Sequence, residues 1–200
     1  MTEIPLFPLP LVLFPGGKLE LQIFEMRYLD LVKACMRDDT GFGIIMIEHG
    51  LQALSDSGQS LPAVCHYGTY SKIIDFNQLD NGMLGITVRG ERKFVVLDHF
   101  EGPNRLMMAE VEYLMDEELL PLPQQHEHLA SLLGTLVEHE AVKKAGLDID
   151  FGQALEVGAR LTELLPCTNS QKQRLLEMRD PIARLGELDK LVKQMQSAKS

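Results

Sequence analysis

The chain has 200 residues, 45% of them apolar and 24% charged, which fits a folded globular protein with a proper core and excludes a disordered or collagen-like chain. The formal net charge of −10 is shared by both halves: nine Lys and Arg against fifteen Asp and Glu over residues 1–115, ten against fourteen over 116–200. A nucleic-acid binder must neutralise phosphates, so this balance weighs against that class, although a local basic stripe stays open.

Residues 1–23 are apolar but carry Pro5, Pro8, Pro10 and Pro15. Proline removes a ladder donor, so the stretch reads as edge strand and loop until a turn at Pro15-Gly16-Gly17. Lys18-Leu19-Glu20-Leu21-Gln22-Ile23 then alternates as a half-buried strand does. Tyr28, Leu31, Val32, Cys35 and Met36 fall at helical spacing and predict a helix over 25–37. A short buried strand follows over 43–47, then a polar loop over 49–60. Three strand-like runs occupy 64–75, 83–88 and 92–100. Asp80-Asn81-Gly82 signals a type I′ hairpin turn between the first two, and Arg89-Gly90-Glu91 joins the second pair. Another strand covers 105–114.

Composition shifts at the acidic, proline-bearing stretch 116–123, which reads as a linker, and helical patterns follow. The first runs over 124–144, with Leu129, Leu132, Leu133, Leu136 and Val137 on one face and Gly146 beyond its end. A second starts near Asp150 with Gln153 in capping-box position and stops at Pro166; a third starts after Ser170 with Gln173 in the same role. Asp180-Pro181 marks an N-cap and first helical residue for a fourth, striped by Ile182, Leu185, Leu188, Val192 and Met195. An α+β chain of two domains is expected: a barrel-like domain over 1–115 and a helical bundle over 124–200.

Cys35, Cys65 and Cys167 are odd in number and far apart, without a CxxC pair. Buried thiols in a reducing compartment are expected, not disulfides or a zinc ribbon. The N-terminus lacks a basic n-region, and no run reaches 18 apolar residues, so a soluble cytoplasmic protein is expected.

Chemistry-bearing patterns are sparse. There is no G-x-S-x-G elbow, and Cys65-His66 would point to opposite faces of a strand, so no nucleophile–base pair arises. His126 and His128 do not share a helix face, and His139 or Glu138 lies about 18 Å further along the axis, which leaves no metal site. No cofactor site is indicated. Glu25 and Arg27, at the start of a helix just after a strand, read as a pair pinning that corner. Phe14, Phe24 and Tyr28 read as core.

The segments Pro5-Leu6-Phe7-Pro8-Leu9-Pro10, Leu13-Phe14-Pro15-Gly16-Gly17 and Leu21-Gln22-Ile23-Phe24-Glu25-Met26-Arg27-Tyr28 resemble the opening of the N-terminal substrate-recognition domain of Lon proteases, as found in stand-alone bacterial members. The likeness continues through Gly68-Thr69-Tyr70-Ser71-Lys72-Ile73, Gly82, Val88-Arg89-Gly90-Glu91-Arg92-Lys93-Phe94, Ala109-Glu110-Val111, and Gln173-Arg174-Leu175-Leu176-Glu177 followed by Arg184-Leu185. It implies a PUA-like antiparallel β pseudobarrel carrying one helix, then a bundle of about four helices. It also implies contact with unfolded or degron-bearing polypeptide. The sequence contains no GxxxxGK[ST] loop and ends where ATPase and Ser-Lys protease modules would begin. A non-enzymatic binder is therefore expected, and an adaptor acting with a separate protease is a role it would fit.

Apolar residues placed where solvent is expected are the best guide to a binding surface. Phe76, Leu79 and Met83 cluster near the hairpin turn and form the candidate polypeptide-binding set, methionine suiting an adaptable surface. The rival is an RNA-binding PUA-like module resting on Arg89, Arg92 and Lys93. Leu119, Leu120 and Leu122 read as interdomain packing. Nothing in the sequence indicates a membrane partner or fixes an oligomeric state.

Overall fold

The computed structural model describes residues 1–49, 60–144 and 146–197; the loop expected over 49–60 lies, apart from its ends, outside the described residues. The chain divides into two compact units, Met1–Met115 and Asp116–Ser200.

The first unit contains β1 (Thr2–Leu9), β2 (Lys18–Ile23), helix α1 (Met26–Asp38), β3 (Phe42–His49), β4 (Ala63–Gln78), β5 (Leu84–Glu101) and β6 (Met107–Tyr113). The strand order is β2-β5-β4-β3-β1-β6, with β6 returning to β5. Five strands thus close a ring, and β2 is appended to the first half of β5. This is the pseudobarrel with one helix that the sequence implied. The sheet is mixed where a wholly antiparallel one was expected, because β1 runs parallel to β3 from Leu6↔Gly43 to Leu9↔Met46. The connection between them holds β2 and α1, long enough to bring the chain back in the same direction.

The expectation of edge-strand material at the N-terminus is corrected by β1, which lies between β3 and β6. Its pairing is divided along its length: Thr2–Pro5 face β6 and Leu6–Leu9 face β3. Each half is therefore laddered on one side, which is how the strand accommodates Pro5 and Pro8. Ile4 and Leu6 enter one core with Ile45, Phe94, Val96, Met107, Ala109 and Val111. Phe7 and Leu9 enter another with Tyr28, Leu31, Val32 and Cys35 of α1. A strand buried on both faces reads as continuously apolar, without alternation.

The two runs expected over 83–88 and 92–100 are one bent strand, β5, with no turn at Arg89-Gly90-Glu91. Gly90 stays in the ladder, and Gly16 N donates to its carbonyl at 2.8 Å. A Cβ there would stand 2.4 Å from Phe14 O, so glycine serves close approach here, not reversal. Phe94 fills the barrel interior between Gly43 and Gly68, where added Cβ atoms would come within 2.7 and 2.5 Å of its Cζ. Bulges interrupt β4 between Ile73 and Asp75 and β5 between Val96 and Asp98. At each, the aspartate Oδ1 accepts the next residue's N–H, Phe76 and His99 respectively, at 2.8 Å. The β4–β5 turn is not type I′: Gly82 N donates to Leu79 O and Gly82 alone in the turn has positive φ, +80°, as in a type I turn closed by a left-handed glycine.

In the second unit, the segment read as a linker is hydrogen-bonded to residues 152–154, at the start of the helix that begins at Ala154. Leu122 N donates to Gly152 O, Ala154 N to Leu120 O, and Pro121 bridges Gln153. The long first helix is divided into α2 (Glu127–Val137) and α3 (Glu140–Lys143), His139 being extended. Carboxylates at Glu138 and Glu140 disfavour a helix C-terminus but suit the start of a new one. Helix α4 spans Ala154–Leu164, α5 Asn169–Glu177 and α6 Pro181–Ser197. The capping box of α5 is Thr168 with Gln171, two residues before the expected pair, and α4 has none. Asp180 caps α6 as expected, its Oδ1 accepting from Ile182 N (2.8 Å) and Ala183 N (3.1 Å). Leu129, Leu133, Val157, Leu161, Leu175, Leu176, Leu185 and Leu188 form the buried apolar centre.

Two measurements check these placements. Gly90→Ala should lower stability by about 1–3 kcal/mol, read as a lower urea midpoint, because neither Phe14 O nor the ladder can retreat. Burial raises the Tyr28 hydroxyl from 10.0 to about 12, with Arg27 opposing and Glu25 reinforcing the shift. The folded state then holds this proton more tightly than the unfolded chain. Its stabilising share is present below pH 10 and lost as pH rises from 10 to about 12, on the order of 2–3 kcal/mol. Tyr28→Phe should flatten the alkaline fall in unfolding free energy across that window.

Candidate functional site

The corner after β2 is a structural clasp. Glu25 is the extended residue before α1, and its Oε2 meets Arg27 Nη2 at 2.9 Å. Arg27 Nη1 donates to Arg105 O at 3.1 Å, and its guanidinium lies 4.6 Å from the centre of the Tyr28 ring. Tyr28 stacks on Phe7 with ring centres 3.9 Å apart. Phe14 and Tyr28 are core, as expected, but Phe24 is 62% exposed. The alternation of β2 puts Leu19, Leu21 and Ile23 inward, and Phe24 falls out of step just before the helix.

The three candidate residues do not form one patch. Phe76 pairs across the ladder with Ile86, which packs in the core under α1, so Phe76 belongs to the helix side of the sheet. There it is 57% exposed and lines a groove of about 270 Å³ with Cys35, Met36, Asp39, Thr40, Lys72 and residues 73–75. Met36 and Ile74 add exposed apolar surface. Leu79 packs over Gly85 on the opposite face, its Cδ2 3.0 Å from where a Cβ would stand. Met83, 40% exposed, receives Gln22 Nε2 on its sulfur at 2.8 Å. Sequence spacing places these residues near the turn; it does not show which face each takes after the bulge at Ile73/Asp75.

Charge at the groove is arranged in local pairs. Lys72 Nζ reaches Asp39 Oδ1 at 3.3 Å, and Arg37 pairs with Asp38 at 2.8 Å. Asp75 uses one oxygen on Phe76 N–H and has no cationic partner among the described residues. In the second unit a groove of about 630 Å³ lies between α5 and α6, but its charged residues are partly matched within it, Lys190 to Glu187 at 2.6 Å.

The remaining candidates disperse. Lys93 is buried 5.8 Å from the Phe14 ring centre, on the other face of the sheet from Arg89 and Arg92, which are exposed, Arg92 over Tyr113 at 4.9 Å. Two exposed arginines are left of the expected basic set of three. Cys35 is buried, whereas Cys65 and Cys167 are only half-buried, and none is in a disulfide. His126 is buried and His128 meets Asp189 at 2.8 Å. No three His, Cys, Asp or Glu among the described residues are placed to hold a metal ion. No helix among them is long and apolar enough to cross a membrane.

The roles of two buried arginines are not legible in the sequence, although one of them, Arg184, stands in a segment that carries the family likeness. Arg184 forks onto Glu117 at 2.5 and 2.8 Å and donates to the carbonyls of Leu175 (2.9 Å) and Met178. Arg160, equally buried, meets Glu163 at 2.9 Å. The available signal is position: both stand within the apolar stripes of their helices, between Val157 and Leu161 and between Pro181 and Leu185.

Comparison with known proteins agrees with this architecture. Residues 3–194 match the family model of the ATP-dependent protease La (LON) substrate-binding domain. A Lon N-terminal domain protein from Xanthomonas campestris superposes with a TM-score of 0.75 and 34% identity, covering 94% of this chain and 97% of that one. The N-terminal domain of the Mycobacterium avium complex Lon protease shares the fold, with a TM-score of 0.57, 20% identity, and 94% and 96% coverage. A LON peptidase N-terminal domain and RING finger protein of Schizosaccharomyces pombe is 26% identical over 91% of this chain and 43% of its own length. The Lon protease of Cytophaga hutchinsonii is 24% identical over 92% of this chain and 23% of its own. The chain thus spans less than half of these two curated relatives, and over the matched region it belongs to the Lon substrate-binding domain family.

Proposed function

We propose that the chain is a non-catalytic polypeptide-binding module. It takes up unfolded or degron-bearing segments in the cytoplasm and acts in protein quality control, as an adaptor to a separate protease. The observation that carries this reading is the groove between the end of α1 and β4, where Met36, Ile74 and Phe76 leave apolar surface exposed on a member of a substrate-binding family. Leu79 and Met83 supply a second contact at the hairpin tip. Exposed apolar side chains in a shallow groove suit loose recognition of many sequences better than one tight ligand. The RNA reading is left with Arg89 and Arg92 alone, because Lys93 is buried.

The test is fluorescence anisotropy with a reduced, carboxymethylated model protein against its native form. Binding to the unfolded form alone is expected, with a Kd on the order of micromolar for so small a contact. Phe76→Asp should weaken it about tenfold, roughly 1.4 kcal/mol, and Leu79→Asp with Met83→Asp less, while melting temperatures change little. Absence of binding by the unsubstituted chain ends the role; undiminished binding by all the variants ends the assignment of this surface. Retention of RNA at low salt would favour the rival.

A further inference from the structure

We infer that the groove takes its polypeptide as an added β-strand along residues 72–78 of β4, an extended apolar segment carrying a basic residue; this rests on the polypeptide-binding reading above. β4 is long, and its two neighbours do not cover it equally. β5 pairs with it from Tyr67↔Val95 to Gln78↔Leu84, whereas the pairing with β3 stops at Phe42↔Ser71. Beyond Ser71, the second edge of β4 has no strand partner among the described residues. Before Phe42 the chain leaves that line and enters α1, so the strip that β3 would occupy if it continued is the groove itself. Its walls are Cys35, Met36, Asp39 and Thr40 on one side and residues 72–76 on the other.

An unpaired strand edge specifies its occupant more narrowly than an apolar patch does. Backbone donors and acceptors at regular spacing are matched by another extended backbone, and alternate side chains of that backbone then meet the walls. Seven residues of edge span about 23 Å, the length of a short extended peptide. Ile74 and Phe76 are exposed along this edge, with Met36 facing them, so an apolar side chain of the incoming strand has somewhere to rest. The bulge between Ile73 and Asp75 bends the strand here, and Asp75 already takes Phe76 N–H. These features discourage a flat edge-to-edge match with a second sheet and leave room for one flexible strand.

Charge narrows the occupant further. Lys72 and Arg37 are matched by Asp39 and Asp38, which leaves the Asp75 carboxylate as the unmatched charge among the described residues that line the groove. The C-terminal end of α1, with its partial negative charge, opens on the same space. A lysine or arginine within the apolar segment is therefore favoured over an acidic residue. The edge of β2 is also paired on one side only, but its residues line neither of the two grooves described above.

The experiment uses the full chain and a labelled seven-residue peptide alternating leucine with lysine and serine. Two further versions carry N-methyl groups on complementary sets of alternate amides. Added-strand binding requires asymmetry: one methylated version should lose at least tenfold in affinity, because its blocked amides face β4, while the other binds nearly as before. Hydrogen exchange of the amides in 72–78 should slow when either the unmethylated peptide or the carboxymethylated protein is bound. Asp75→Asn, which keeps an oxygen for Phe76 N–H, should reduce the preference for lysine-bearing over lysine-free peptide several-fold. If the unfolded protein binds but 72–78 gain no protection, or both methylated peptides bind equally, strand addition is overturned while polypeptide binding stands. If neither peptide nor unfolded protein binds, the underlying reading fails with it.

Discussion

The barrel depends on β1 being buried on both faces. Ile4 and Leu6 supply the interior around Phe94, while Phe7 and Leu9 supply the layer under α1. Such a strand needs cover on each side, and the chain provides it by passing through β2 and α1 before returning as β3. That return makes β1 and β3 parallel. It also brings the end of α1 beside β4, which leaves residues 72–78 of β4 without a strand neighbour on that side among the described residues. The groove is a by-product of closing the barrel in this order.

The same constraint separates the elements legible in the sequence from those that are not. Helix α1 shows itself through Tyr28, Leu31, Val32 and Cys35, because one face of it is buried and periodicity records one-sided burial. Most strands, and their order along the chain, are legible for the same reason. β1 is not, because two-sided burial removes alternation and its prolines suggest an edge. β5 reads as two strands because a glycine between charges, Arg89-Gly90-Glu91, looks like a turn; only the approach of Phe14 O reveals its purpose. In the helices, the Asp180 cap is legible from a local pair, whereas Thr168 and Ser170 offer competing starts that only tertiary packing decides.

The residues that carry the family likeness turn out to be occupied in folding. Glu25 and Arg27 clasp the strand-to-helix corner, Gly68 makes room for Phe94, and Thr69 donates to Leu13 O at 2.6 Å. Arg184 ties Glu117 to the α5–α6 joint. Groups engaged in this way have little left to offer a ligand. The candidate groove is instead lined by side chains with few internal commitments, Met36, Ile74 and Phe76. Family resemblance therefore locates the fold closely and the groove hardly at all. Of Phe76, Leu79 and Met83, only Phe76 lines the groove, because the bulge in β4 is invisible in the spacing.

β5 is partner to β2, β4 and β6 at once. A strand that three others share cannot detach from one of them without loosening the rest, so small openings of the barrel merge into a single large one. Piecemeal fraying would expose further backbone edges to which any extended chain could anneal. Concentrating the sheet's cohesion in one long strand confines open ladder to the edges that the fold itself leaves unpaired.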